Sequence, residues 1–484
     1  MAEAPRDLPE RGPGIPGMSA QENSMTADLA AYVEVMRRLL AHGGYERTGR
    51  ATEAKRWDID HIVVYLEAHG RPDRRNAVHI AGSKGKGSVA TITEAILREA
   101  INDAGGHTLL LTSPDLHSAR ERIAIDGHPI APDAFSRAAL RLLDDPATEG
   151  WSYFELLTVM GWLAGAEAEC DWQIVEVGLG GRLDTTNAMA AASKAATVIT
   201  PIDLEHTEIL GNTIPLIASE KAGIIVSDAP VIAAPMRASA LEVVRSRAVE
   251  FGAPVHSVPD ECALRVTAHN LEGQTLDLRT PVRTYRALKS PLIGQHQSEN
   301  IATAVRAAEE AFAFRAAGGG DAAIAIPEQA VTRGVASARM PGRFEVVRQR
   351  PLTILDGMHT PLAARRFREA LDGVAVPRRR VWVIGMLAGK DIDAILEPLL
   401  GEGDEVIVAP PPTQRAADVT DLVRAVRAIG ATAQRAASVG AAIDLASEQA
   451  GDRGAVIVAG SLYTVAAARE HVLGLTGDHL LGLR

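Results

Sequence analysis

Cysteine is almost missing from this chain: Cys170 and Cys262 are the only two among 484 residues. Two thiols cannot build the disulfide framework of a small secreted fold, so a reducing, cytoplasmic setting is expected. Both are read as small buried hydrophobes rather than nucleophiles. No apolar run reaches the roughly 18 residues needed to span a bilayer, so no membrane partner is expected. The N-terminus has no apolar signal core; residues 1–25 are rich in Pro, Gly and Glu and are expected to be disordered. Positive charge is in deficit, with a net charge of −11. That excludes the basic face a nucleic-acid partner would need, but not a locally positive site for a small anion. Lysine is scarcest: of 50 basic side chains only seven are lysines, at 55, 84, 86, 194, 221, 289 and 390. Arginine serves wherever a generic cation will do, so a remaining lysine points to a need for a primary amine.

What the chain has is ample material for cores, 46% hydrophobic residues, over a length that suits two or three domains. Residues 26–70 read as two helices, the first with clear 3.6-residue periodicity. From residue 78, short β-branched runs (108–112, 172–177, 196–200, 231–234) alternate with helical stretches, which predicts a mostly parallel sheet covered by helices. Residues 255–290 alternate polar and apolar and predict a small antiparallel excursion. An alanine-rich helix follows over 298–315, and Gly318-Gly319-Gly320 breaks it. A second, smaller unit has strands expected at 352–355, 381–384, 405–408 and 455–458. The fold class is therefore α/β: a parallel-sheet unit over 26–338 and a smaller Rossmann-like α/β unit over 339–484.

The most informative stretch is His79-Ile80-Ala81-Gly82-Ser83-Lys84-Gly85-Lys86-Gly87-Ser88. An apolar strand enters it and a helical run leaves it. Strand, glycine loop and helix present backbone N–H groups and a helix N-terminus to a polyphosphate. Lys86 can reach the β/γ-phosphates and Ser88 can ligate magnesium, so ATP and Mg²⁺ are the expected cofactors. The spacing is tighter than a Walker A loop. The plain alternative is a glycine turn without a ligand, against which two lysines in one compact turn argue by mutual repulsion.

A second signal runs from Asp171 to Asn187. A hydrophobic strand delivers Glu176 to its carboxyl end and the glycine turn Gly178-Leu179-Gly180-Gly181 follows. A carboxylate there is placed for magnesium on a nucleotide. Another strand leads into Asp203-Leu204-Glu205-His206, where His206 is either a solvated loop residue or a metal ligand. Ser219-Glu220-Lys221-Ala222-Gly223 follows on a helix, where Lys221 could be a simple surface charge. Arg343, in Met340-Pro341-Gly342-Arg343-Phe344-Glu345, sits at the junction of the two units, where it can neutralise a phosphate across a cleft.

Taken in order, these motifs resemble the folylpolyglutamate synthase and dihydrofolate synthase family of the Mur ligase superfamily, which are ATP-dependent amide-bond formers. The resemblance spans about residues 30–470. It rests on Ser83-Lys84-Gly85-Lys86-Gly87-Ser88, the Glu176–Asn187 run, Glu220-Lys221-Ala222-Gly223-Ile224, and the Pro341-Gly342-Arg343-Phe344-Glu345 junction. Thr112-Ser113-Pro114-Asp115-Leu116, Phe154-Glu155-Leu156-Leu157-Thr158, Asp356-Gly357-Met358-His359 and Gly385–Asp391 extend it. It implies a P-loop-type ATPase unit like the central Mur ligase domain and a C-terminal glutamate-ligase unit. It implies that Gly82 to Ser88, Asn300, Arg343 and Asp356 bind nucleotide. Ser88, Ser113, Glu176 and His206 would hold magnesium, and Lys221 would be carbamylated. Lys86, Lys221, Asp356 and His359 would carry the catalysis. The chain departs from the family pattern at Asp115, where the family has His, and mildly at Glu205, where it often has Asp. The implied partners are a folate or pteroate carboxylate and L-glutamate, acting on a monomer. Three rivals are distinguishable. Another Mur-type ligase would act on a peptidoglycan precursor, a catalytically dead binding protein would not turn over ATP, and a P-loop kinase would need no glutamate.

Overall fold

The computed structural model describes residues 20–44, 58–318 and 325–483. Most of the segment 1–25 expected to be disordered, and Gly319 and Gly320, lie outside these residues. The first helix, Ala20–Ala41, begins inside that expected segment.

The larger sheet has eight strands. Its order is His128–Pro129, Ile123–Ile125, Thr108–Leu111, Trp172–Glu176, Asn76–Ala81, Lys194–Ile199, Val231–Ala233, Val255–Ser257. The six strands from Thr108–Leu111 to Val255–Ser257 run parallel, and the two at the opposite edge are antiparallel. Parallel strands are covered on both faces, so they read as continuous apolar runs. Trp172–Glu176 and Lys194–Ile199 are buried at every position. The chain order reverses at Asn76–Ala81, which pairs with Trp172–Glu176 on one side and Lys194–Ile199 on the other. Open α/β sheets bind ligands in the crevice at the carboxyl ends of such strands.

Helix Lys86–Ile101 leaves that strand and crosses Glu328–Ser337 closely. A Cβ at Gly334 would lie 2.5 Å from Ile96 Cα, so only glycine permits the crossing. The long helix Gln295–Gly318 packs on the same helix. The excursion expected over 255–290 is a three-stranded antiparallel sheet of Ala263–Asn270, Gly273–Arg279 and Thr284–Ser290.

The third sheet has six strands in the order Glu345–Gln349, Leu352–Asp356, Ala455–Ala459, Arg380–Ile384, Glu405–Val408, Thr432–Arg435. All but the first pair are parallel. Leu116, from a loop of the larger sheet, is buried in the apolar cluster of this third sheet beside Val465 and Val458. Among the described residues no helix is long and apolar enough to cross a membrane.

Candidate active site

One cleft of about 2070 Å³ opens between the two large sheets, and every candidate residue named from the sequence lines it. Its floor is the turn after Asn76–Ala81. Gly82 and Gly85 adopt φ of +151° and +84°, which side chains avoid. A Cβ on Gly82 would sit 1.8 Å from Thr200 Oγ1, and one on Gly85 2.6 Å from Asn300 Oδ1. The glycines thus let the turn press against the next strand and against helix Gln295–Gly318. Ser83 and Lys84 donate their backbone N–H groups to Pro201 O at 2.9 and 3.1 Å. The helix begins at Lys86 with Gly85 as its N-cap, so Lys86, Gly87 and Ser88 lie in its first turn. The amides of that turn have no partner within the helix and suit a phosphate.

The lysines are arranged differently from the expectation based on repulsion. Lys84 Nζ pairs with Glu205 Oε1 at 2.9 Å, and Lys86 Nζ lies 3.8 Å from Glu176 Oε1. Each ammonium has its own carboxylate, so repulsion alone does not demand an anionic ligand. Burial opposes ionisation of Glu205, but Lys84 and Lys86 hold it down to about 2. Burial pushes the Glu176 carboxyl up against the pull of Lys86, the Ser113 amide and Arg343. Ser113 N–H donates to Glu176 Oε2 at 3.1 Å, which fixes the carboxylate toward the loop.

Lys221 is buried and donates from Nζ to Gly82 O at 2.8 Å. Burial, with Lys86 beside it, lowers its amine to about 7. The glycine turn after Glu176 holds the lysine's backbone in place. Arg182 N–H donates to Glu220 O at 2.8 Å, and a Cβ on Gly181 would meet that oxygen at 2.8 Å. Asp184 ties the turn together by accepting from Leu179 N and Thr186 N. Lys194, buried and lowered to about 7 by burial, donates to Asn187 Oδ1 and Ile224 O, both at 2.8 Å. Lysine scarcity could have flagged Lys194 as well.

His206 has φ of +53° and is lowered by burial. On the facing wall, Asp356 accepts from Phe344 N and Met358 N, both at 2.8 Å, and burial raises its carboxyl despite Arg343. His359 Nδ1 lies 3.0 Å from Gly357 O; a carbonyl only accepts, so Nδ1 carries the proton and Nε2 is an acceptor. Burial lowers this ring to about 4. Asp115, where the family has His, accepts from Arg122 Nε at 2.6 Å. Phe154 covers the glycine turn, its ring 2.5 Å from where a Gly178 Cβ would be, on a helix fixed by a Ser152–Glu155 capping box. Trp151 and Tyr153 line the cleft beside it.

Among the described residues, no three His, Cys, Asp or Glu side chains gather into a metal cluster. Magnesium takes one or two protein ligands and completes its shell with phosphates and water. Ser88 and Glu176 offer such hard oxygen donors at the loop.

The Mur ligase, glutamate ligase domain family matches residues 342–462. A dihydrofolate synthase/folylpolyglutamate synthase of Mycobacterium tuberculosis is 33% identical over 446 residues, 85% of this chain and 89% of that protein. The structure of Mycobacterium tuberculosis folylpolyglutamate synthase complexed with ADP and AMPPCP superposes with a TM-score of 0.78 at 30% identity, covering 92% of this chain and 99% of that one. Escherichia coli FolC in complex with DHPP and ADP gives 0.73 at 28% identity, over 86% and 94%.

Proposed function

The chain belongs to the folylpolyglutamate synthase/dihydrofolate synthase family of Mur-type ligases, and from that membership we propose how its cleft works. It is an ATP-dependent ligase that adds L-glutamate to a folate. The observation that carries the residue roles is the convergence of the Gly82–Ser88 loop, Glu176, Lys221, Arg343 and His359 on one cleft between two sheets.

ATP lies with its phosphates on the loop and the first turn of Lys86–Ile101. Magnesium, when bound, would neutralise charge on the β- and γ-phosphates, and one or two of Ser88, Ser113, Glu176 and His206 would hold it directly. The folate carboxylate oxygen attacks the γ-phosphorus and ADP leaves, giving an acyl phosphate. Lys86 from below and Arg343 from the facing wall spread the charge that develops. The amine of L-glutamate then attacks the acyl carbon and phosphate leaves. The proton that the amine sheds leaves with the phosphate; His359, too weak a base to hold it, orients the amine through Nε2 as an acceptor. Phe154, partly exposed to the cleft, provides flat apolar surface for a pterin ring, and the buried Trp151 and Tyr153 back the wall beside it. Lys221, with its amine near 7, keeps enough neutral nitrogen to take up CO₂ as a carbamate. That converts a cation into an anion beside the phosphate loop. Closure of the two walls excludes the water that would hydrolyse the acyl phosphate.

The test is ADP release with ATP, magnesium and L-glutamate, comparing dihydropteroate with tetrahydrofolate. Turnover with both means a bifunctional synthase, and with tetrahydrofolate alone a polyglutamylating enzyme. Turnover with neither removes folate as the acceptor. The Lys86→Ala variant is expected to fold normally and to lose at least about 100-fold in turnover, as for removal of a transition-state donor. Near-normal activity would place the phosphates elsewhere.

A further inference from the structure

In the lining of the same cleft, at His117 and Arg469, the two sheets are joined by a continuous polar chain. Arg469 Nε lies 3.0 Å from both carboxylate oxygens of Glu345. The Nη1 of the same guanidinium lies 3.0 Å from His117 Nε2. An arginine only donates, so Nε2 accepts and Nδ1 carries the proton that His117 gives to Glu470 Oε1 at 2.7 Å. His479 Nδ1 is 3.0 Å from Glu470 Oε2, but off the hydrogen-bond direction. His117 and Glu470 are both buried.

Each end of this chain reaches a group of the phosphate site. Glu345 Oε2 accepts from Gly342 N at 2.8 Å, and Gly342 O accepts from Gly357 N at 2.8 Å. Gly342 has φ of +71°, and a Cβ there would meet Val465 Cγ1 at 2.8 Å. Arg343 is the next residue. At the other end, His117 lies four residues after Ser113, whose amide holds Glu176, and next to Leu116, which is seated in the apolar cluster of the third sheet. The loop carrying Ser113 therefore belongs to one sheet by chain and to the other by packing.

We propose that His117 and Arg469 are positioning residues for the ligation. They clamp the Ser113–His117 loop to the Gly342–Arg343 junction, so that Glu176 and Arg343 address the same phosphate in register. This rests on reading the cleft as that of an ATP-dependent ligase. Neither residue touches the nucleotide loop, so the clamp acts on the alignment of the two walls and not on ATP affinity.

The test measures amide formed per ATP consumed, with the Kd for ADP, in the full chain. His117→Leu and Arg469→Leu are expected to lower kcat for amide formation by about 10- to 100-fold, the scale of a small misalignment. ADP affinity should stay within about 2-fold, and more ADP should be released per amide as water reaches the acyl phosphate. His117→Gln keeps an acceptor near the Nε2 position and should recover most of the coupling. Arg469→Lys cannot serve His117 and Glu345 together and should remain uncoupled even where the leucine variants fold poorly. Wild-type coupling in Arg469→Lys, or equal defects in His117→Gln and His117→Leu, would overturn the proposal. A wild-type protein that forms no amide at all would instead overturn the ligase reading and the proposal with it.

Discussion

Lys221 shows how much one residue's surroundings decide. Its amine falls to about 7 because it is buried and has Lys86 nearby, whereas an unfolded lysine titrates near about 10.4. Between those values the unfolded chain binds more protons than the folded one, so this group makes stability rise with pH across that window. The same depression leaves neutral amine available for CO₂ at ordinary pH. In buffer stripped of CO₂, activity is expected to fall, and added bicarbonate to restore it more fully above about pH 7 than below. Lys221→Arg should be inactive with or without bicarbonate. Equal activity in stripped and supplemented buffer would remove the carbamate. Lys221 was conspicuous in the sequence because the chain spends so few lysines. The partner of Lys84 was not, since Glu205 lies 121 residues away. A turn with two lysines looked as if it required phosphate, and distant carboxylates already satisfy both.

At the level of elements, strands were the easiest feature to read. Trp172–Glu176 and Glu405–Val408 are buried nearly throughout, so their apolar runs are uninterrupted. Helix starts were harder. Lys86, Gly87 and Ser88 look like loop in sequence yet form a helical turn, because Gly85 can take the positive φ that the chain needs just before it. The Gly178–Asn187 run looked like ligand-binding sequence, and much of it serves contact between elements. Gly181 lies against the carbonyl of Glu220 with no room for a methyl group. Gly181→Ala is expected to displace helix Ile214–Ala222, costing about 1–3 kcal/mol of stability and most of the ligation rate. ADP should still bind, since the phosphate loop is on another element. A thermal-shift titration with ADP beside a turnover assay would separate the two effects; an unchanged rate would mean that the helix tolerates the shift.

Across the whole molecule, the ties that matter join the ends of the chain. Tyr32 OH, on the first helix, lies 2.9 Å from Asp478 Oδ2 and 3.0 Å from Ser118 Oγ. Asp478 Oδ2 also accepts from Ala119 N at 2.9 Å, and Leu483 is buried among the same apolar side chains as Tyr32. Tyr32→Phe keeps the ring and removes only the hydroxyl. It should cost about 1–3 kcal/mol, as for a buried bond to a charged acceptor, with ADP affinity unchanged. Denaturant unfolding would show this as a lower midpoint, and an unchanged midpoint would mean the strap carries no load. None of this was legible in the sequence: Tyr32 and Asp478 are 446 residues apart, and His117 and Arg469 are 352 apart. Periodicity and motif spacing report on neighbours along the chain, and these partners are neighbours only in space. Leu116 has a practical consequence for anyone recombining this protein with a relative. Cutting near residue 339 and grafting on a foreign C-terminal half would leave the Leu116 side chain facing a socket shaped for another chain. A working hybrid has to move the 113–122 loop and the 474–483 tail along with the half they plug into.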